Sequence, residues 1–177
     1  MLKKIVIAAV AVAALGSNGA FAAGASTVSV NGGSLGVNAL VQASCSVTIG
    51  AAVSFGTISI VPSATATPGS FSVTCDNLTD YAVGLGNGNN FAVTRKMSSG
   101  ANLLPYELFV DNTYAAASRF NNVTLGDTVG GAPAAGTVGG TGSGSSISYS
   151  VFGQIPASAT KPAPGFYGDS VQVTVIY

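Results

Sequence analysis

Apolar and polar residues alternate along this chain with a period of two, the pattern of a strand that buries one of its faces. The longest such run begins at Leu35 and ends at Ile49. It predicts one long half-buried strand, or two strands in line, because successive side chains of a strand point to opposite faces. The apolar odd-numbered positions of the run are Leu35, Val37, Ala39, Val41, Ala43, Cys45, Val47 and Ile49.

Six further segments have strand character, and turn signals such as Pro68-Gly69 and Pro164-Gly165 separate them. No window carries a helical stripe with caps, and Ala115–Ser118 is too short to count as a helix. Many short strands without crossover helices predict an all-β fold, an antiparallel β-sandwich. The six segments are Ser54–Ile60, Gly69–Cys75, Ala82–Leu85, Tyr106–Asp111, Ile147–Ile155 and Ser170–Tyr177.

The N-terminus has the composition of a secretory signal peptide. Two lysines, Lys3 and Lys4, precede an apolar stretch of 11 residues, and Ala20-Phe21-Ala22 offers small residues for cleavage after Ala22. The alternative is a membrane anchor, but 11 apolar residues cover only about half of a ~30 Å hydrocarbon core. The sequence therefore predicts export of a mature chain that begins at Ala23.

The mature chain has the size of one domain and very few charges. Beyond residue 22, 4 basic and 6 acidic side chains remain, so the net side-chain charge of the mature chain is 4 − 6 = −2. No basic patch is present, so nucleic acid is not an expected partner. Charged residues make up 7% of the sequence, against about 25% in ordinary soluble domains. The low-complexity stretch 126–146 predicts a flexible or weakly paired loop within this domain, because strands resume after it.

Two cysteines, Cys45 and Cys75, remain in a chain predicted to reach an oxidising compartment. One intramolecular disulfide is the direct expectation. It would close a loop of 31 residues and stabilise the fold by about 4 kcal/mol. A reactive thiol pair is the alternative, but it requires a nearby base, and the chain contains no histidine.

No arrangement of residues predicts catalysis, a metal site or a cofactor. The absence of histidine removes the usual proton carrier at neutral pH. Glu107 and Asp111 would lie about 13 Å apart on one face of a strand, too far for either glycosidase spacing. Asp76 and Asp80 flank a turn, which is the preferred interpretation over a Ca²⁺ site. We therefore expect a protein that is not an enzyme.

The segment between the predicted cleavage site and Cys45 is an N-terminal arm with strand-like alternation. Thr27-Val28-Ser29-Val30 alternates on even positions, and Leu35 to Val41 alternates on odd positions. Such an arm can be the first strand of its own domain, or it can pair with an exposed edge of another subunit by β-augmentation. The residue pattern alone leaves both possibilities open.

Several stretches resemble the spore coat protein U domain, the fold of the major pilins of archaic chaperone–usher pili. The cysteine spacing, the Tyr-Glu-Leu-Phe run at 106–109 and the Gly-x-Tyr-x-Asp entry to the final strand carry the resemblance together. The matching stretches are ASCSVTIG at 43–50, VSFGTIS at 53–59, FSVTCDN at 71–77, YAVGLGNG at 81–88, RKMSSGANLLPYELFVD at 95–111, VFGQIP at 151–156 and PGFYGDSVQVTVIY at 164–177.

The resemblance implies an incomplete immunoglobulin-like sandwich that the arm of a neighbouring subunit completes as a donor strand. It also implies a periplasmic chaperone, an outer-membrane usher and copies of the chain or related pilins as partners. Two departures are the Gly32-Gly33 interruption in the arm, and Phe120 where family members often carry tryptophan. By this resemblance the donor residues are Leu35, Val37, Ala39 and Val41, with Val28 and Val30 as further candidates. The acceptor groove along the terminal strand takes Val171, Val173, Val175 and Tyr177.

These observations give a leading functional hypothesis and one alternative. The leading hypothesis is a structural pilin subunit that polymerises by donor-strand exchange into surface pili for attachment and biofilm formation. The alternative is a secreted monomeric coat or binding protein whose arm folds onto its own sandwich. The expected organisation is a signal peptide at 1–22, a donor-strand arm at 23–42 and a sandwich domain at 43–177.

Overall fold

In the computed structural model, residues 34–58, 63–123, 133–157 and 162–177 are described, and residues 40–177 form one compact unit. The described residues of this unit form nine strands and one turn of 3-10 helix at Ala116–Ser118. No helix among the described residues is long and apolar enough to cross a membrane. The strands are β1 (Cys45–Ile49), β2 (Ala64–Thr65), β3 (Gly69–Cys75), β4 (Asp80–Leu85), β5 (Arg95–Ser99), β6 (Asn102–Phe109), β7 (Val138–Thr141), β8 (Ile147–Ile155) and β9 (Val173–Ile176).

The larger sheet has the strand order β1-β3-β8-β6-β5, and β2 pairs with the end of β8. All its pairings are antiparallel. The smaller sheet has the order β7-β4-β9, and it is also antiparallel. The predicted all-β antiparallel sandwich is therefore confirmed.

The hydrophobic core lies between the two sheets and follows the period-two pattern. In β3 the odd-numbered residues are buried, including Phe71 at 2% exposure and Val73 at 1%. The smaller sheet contributes Tyr81 and Val83 from β4. The hydroxyl groups of Tyr81 and Tyr149 lie 2.7 Å apart, so a hydrogen bond joins β4 to β8 across the core.

Strand β4 is buried on both faces. Strand β9 is half-buried except at Ile176, whose burial the alternation did not predict. Ile176 was expected on the polar side of the final strand, yet it packs with Ala82 and Val123 in a second small cluster. The chain after β6 covers this outer face closely. A Cβ atom at Gly84 would lie 2.4 Å from the backbone nitrogen of Val123, so only glycine allows the approach.

The predicted disulfide is confirmed. Cys45 begins β1 and is bonded to Cys75, the residue opposite it at the end of β3. The strand predictions for Gly69–Cys75 and Ile147–Ile155 match β3 and β8 at both ends, and those for β4, β6 and β9 overlap the observed strands.

Two strand predictions were wrong. The long strand expected from Leu35 begins only at Cys45, and residues 34–44 are in no strand. Alternation shows that one face of a segment is apolar, but a strand also requires a partner for its backbone hydrogen bonds. The segment expected at Ser54–Ile60 makes one isolated bridge, from Ser54 to Thr67, and residues 59 and 60 lie outside the described residues.

Three strands were missed: the two-residue strand β2, and strands β5 and β7, whose sequences do not alternate. Strand β5 forms a hairpin with β6 through Gly100, whose φ of 58° favours glycine at that turn. Strand β7 lies inside the low-complexity stretch that was expected to be a loop, and it pairs with β4 from Val138 to Thr141. Glycine at 139 fits there because an added Cβ would lie 2.3 Å from the carbonyl oxygen of Tyr81.

Candidate functional site

The strand order leaves one position of the sandwich empty. In a constant-type immunoglobulin domain, strands A, B, E and D form one sheet and strands C, F and G form the other. The order β1-β3-β8-β6 corresponds to A-B-E-D, and β4-β9 corresponds to C-F. Within the described residues no strand pairs with the second edge of β9, which is where strand G would lie.

Strand β1, at the edge of the larger sheet, has an apolar face that is only partly covered. Val47 and Ile49 lie directly opposite Val73 and Phe71 of β3, so all four side chains belong to the core-facing side. Their exposures differ sharply. Val73 and Phe71 are 1% and 2% exposed, whereas Val47 and Ile49 are 37% and 64% exposed. The core is therefore open on the side of β1.

A groove of about 550 Å³ occupies this opening. One wall runs from Ile49 to Phe55 and the other from Phe166 to Val173. Its floor is made of core side chains contributed by both sheets. The residues of the floor are Phe71, Leu85, Met97, Tyr106, Leu108 and Val151. Most of the lining is apolar, and its polar side chains are those of Ser70, Tyr106, Tyr167, Asp169 and Ser170.

A second cavity of about 680 Å³ continues the groove. It lies between residues 53–58 and residues 162–167 and shares five lining residues with the first cavity. The first cavity is lined by residues 49–55 and 166–173, and the second by residues 53–58 and 162–167. Residue numbers therefore increase along one wall and decrease along the other, so the two walls are antiparallel. A strand inserted between them is parallel to one wall and antiparallel to the other. The shared residues are Val53, Phe55, Met97, Phe166 and Tyr167.

Asp169 lies four residues before β9 and holds this part of the chain at the edge of the groove. Its carboxylate accepts hydrogen bonds from the Tyr106 hydroxyl at 2.7 Å, the Asn89 backbone N–H at 2.9 Å and the Ser170 N–H at 2.8 Å. Burial and the hydrogen bond to Asp169 raise the pKa of Tyr106 well above its ordinary value, so Tyr106 remains a donor. Among the described residues that line the groove, the one carboxylate is thus already bound within the subunit.

The side chain of Arg95 in β5 forms hydrogen bonds that link the two sheets. Its guanidinium, 5% exposed, donates hydrogen bonds of 2.7–2.9 Å to the carbonyl oxygens of Leu85, Gly86 and Phe120. Glu107 lies 3.7 Å away as its ion-pair partner. Burial lowers the pKa of Arg95, and the Glu107 carboxylate opposes that shift. Arg95 therefore ties β5 of the larger sheet to the end of β4.

A family model described as the Spore Coat Protein U domain matches residues 32–174. The chain belongs to the Spore Coat Protein U domain family. Among solved structures it is similar to the crystal structure of the CsuC–CsuE chaperone–tip adhesion subunit pre-assembly complex from archaic chaperone–usher Csu pili of Acinetobacter baumannii. That match has 24% identity and a TM-score of 0.48, and it covers 77% of this chain and 40% of the other. None of the curated proteins matches the chain.

In this Spore Coat Protein U domain, part of the expected acceptor wall lines the groove. Val171 and Val173 line the first cavity. Val175 packs against the core cluster, and Tyr177 is 58% exposed and lines neither cavity. The observed strand, Val173–Ile176, is shorter than the expected Ser170–Tyr177. Phe120, expected in a tryptophan position, is fully buried in the core at 0% exposure.

The expected donor residues are exposed apolar side chains. Leu35, Val37 and Val41 are 90%, 86% and 89% exposed, and Ala39 is also exposed. Leu40 interrupts the alternation and is 94% exposed. Val28 and Val30 lie outside the described residues. The donor role of these residues therefore stays a prediction.

The acidic pairs that the sequence offered have structural roles. The Asp76 carbonyl oxygen accepts the Thr79 N–H at 3.1 Å in the expected turn, and the Asp80 carboxylate accepts the Thr141 hydroxyl at 2.6 Å. Asp111 accepts hydrogen bonds from the Thr113 side chain, the Ser118 side chain and the Thr113 backbone, which lower its pKa. Among the described residues, no three His, Cys, Asp or Glu side chains are grouped so that they could hold a metal ion.

Proposed function

We propose that this chain is a structural subunit of a surface pilus and that it polymerises by donor-strand exchange. The N-terminal arm of one copy, residues 23–42, occupies the groove of the next copy and supplies its missing strand. The observation that carries the proposal is the groove itself, an opening between residues 49–55 and residues 166–173 beside the β9 edge where an immunoglobulin-like sandwich would have strand G. Membership of the Spore Coat Protein U domain family supports it.

The arm and the groove match in chemistry. No charged residue occurs between Ala23 and Ser44, and the Asp169 carboxylate in the groove already accepts three hydrogen bonds. Moving Leu35, Val37, Ala39 and Val41 from solvent into the groove would gain on the order of 5–10 kcal/mol. The open backbone edges of β1 and β9 provide the hydrogen-bond partners that the arm needs to become a strand.

An open groove also explains the expected need for further partners. Uncovered apolar floors and unpaired strand edges lead to aggregation unless another segment covers them. In the proposed pathway a periplasmic chaperone covers the groove before assembly, and an outer-membrane usher is the site of exchange. The signal peptide at 1–22 directs export, and the polymer lies at the cell surface, where it supports attachment and biofilm formation.

One charge in the arm tests the proposal. Val37→Asp is expected to prevent stable polymer, because an unpaired carboxylate in an apolar groove costs several kcal/mol. Asn38→Asp is the matched control, since it adds the same charge on the opposite face of the donor strand and should leave polymer in place. Cells producing each variant are extracted in SDS, and the extracts are run without boiling, where exchanged subunits should form a heat-sensitive ladder.

Two outcomes would contradict the proposal. The first is an identical ladder for Val37→Asp and wild type, which would show that the arm does not enter a groove. The second is a wild-type extract that contains only monomer. That result would favour the monomeric coat or binding protein, whose arm occupies its own sandwich.

A further inference from the structure

Phe166 is a large aromatic side chain that stands open to solvent at the middle of the groove. It is 90% exposed, although it follows a proline-rich loop and precedes the half-buried residues 167–169. It lines both cavities, so it lies where the first cavity continues into the second. An aromatic ring left in solvent at the junction of an apolar groove is a contact surface without a partner in the isolated subunit.

The loop that carries Phe166 is held by hydrogen bonds of the residues that follow Phe166 and by one hydrogen bond within the loop. Gly168 exchanges two backbone hydrogen bonds with Ser98 of β5, at 2.9 and 3.1 Å. The Tyr167 hydroxyl donates to the Ala163 carbonyl oxygen at 2.8 Å, and Asp169 is bound by Tyr106. The exposure of Phe166 is therefore fixed by its neighbours, and its ring stands at the groove before any partner arrives.

The arm of a second copy is long enough to reach this position. From Phe166 to Ile176 there are 11 residues, which correspond to about 36 Å of extended chain. The arm at 23–42 has 20 residues and spans about 66 Å when extended. A donor strand that pairs along β9 therefore has residues to spare for the junction of the two cavities.

We propose that Phe166 is a docking residue for the donor arm of a neighbouring copy, packing on the inserted strand where the two cavities meet. This inference rests on the proposed donor-strand exchange and adds a specific contact to it. An inserted segment that passes from one cavity to the other comes against the Phe166 ring, because the ring lines both. The uncharged arm and the apolar junction are compatible, and the loop needs no rearrangement to make the contact.

The test compares polymers of the full-length chain with Phe166→Ala. Because Phe166 is 90% exposed in the subunit, its removal should leave subunit folding intact, and the yield of secreted or chaperone-bound subunit verifies this. The half-life of the ladder is measured in SDS at a fixed elevated temperature. Phe166→Ala should dissociate roughly 10- to 100-fold faster, the effect of losing one buried aromatic contact.

Two control variants separate this contact from a general effect of surface hydrophobicity. Phe166→Tyr keeps the ring and should retain most of the half-life. Val93→Ala removes an 89% exposed apolar side chain outside both cavities and should match wild type. Equal half-lives for Phe166→Ala and wild type would overturn the inference while leaving donor-strand exchange intact. A wild-type chain without a ladder would overturn both.

Discussion

A chain that lacks residues 23–41 is expected to form no polymer at all while remaining a substrate for the proposed periplasmic chaperone. The deletion removes every proposed donor residue but leaves Cys45, the disulfide and the nine strands that the described residues form. Identical copies of this variant have no arm to insert into each other's grooves, so no ladder of polymer bands should appear on unboiled SDS gels. Co-purification with the periplasmic chaperone should persist, because the uncovered groove still requires a partner.

Two results would speak against that expectation. If the truncated chain still produced a heat-sensitive ladder, the subunits would be joined by a surface other than the arm. If it folded alone as a stable monomer, with a cooperative thermal transition and no binding of a hydrophobic dye, the opening between β1 and β9 would need no occupant. The full-length chain, expressed in parallel, is the control for export and yield.

Arg95→Met is expected to destabilise the sandwich by about 3–5 kcal/mol, the usual cost of breaking a buried ion pair from one side. Methionine has a similar length but cannot donate hydrogen bonds to the carbonyl oxygens of Leu85, Gly86 and Phe120. It also leaves the carboxylate of Glu107, which is 14% exposed, without its cation. Urea unfolding of the assembled protein, followed by circular dichroism, gives the free energy of unfolding.

Arg119→Met is the matched control for the same chemical change. Arg119 is exposed, so its replacement should alter the free energy of unfolding by no more than about 0.5 kcal/mol. If Arg95→Met also stayed within about 1 kcal/mol of wild type, Arg95 would not be the link between the sheets that its contacts indicate.

The sequence predicted the central strands of the sandwich well, because a strand with one buried face must carry an apolar residue at every second position. In β3 and β8, buried and partly exposed residues alternate, and the predicted bounds agree with the structure at both ends. Strand β5 escaped prediction for a physical reason. It begins with Arg95, a charged residue whose burial depends on carbonyl oxygens from β4 and from residue 120, and no local pattern encodes such long-range partners.

The candidate site was predicted on one side only. Val171 and Val173, which the family resemblance assigns to an acceptor groove, both line the first cavity, although the observed strand begins only at Val173. Their acceptor role stays a prediction. The opposite wall, Ile49–Phe55, is mostly irregular, and its role depends on which strand is missing beside it. Phe166 lies within the Gly-x-Tyr-x-Asp motif that carried the resemblance, but only the three-dimensional arrangement shows that it joins two cavities.

The most direct test of donor-strand exchange co-expresses two variants that each lack one half of the interaction. One variant lacks residues 23–41 and can only accept an arm. The other carries Val171→Glu, which places a charge in the groove wall, so this chain can only donate its arm. Neither variant alone should form a ladder. Together they should give a single heat-sensitive band at the mass of two subunits and nothing longer. Absence of that band when both variants are folded, or a ladder from the truncated variant alone, would contradict exchange of the arm between copies.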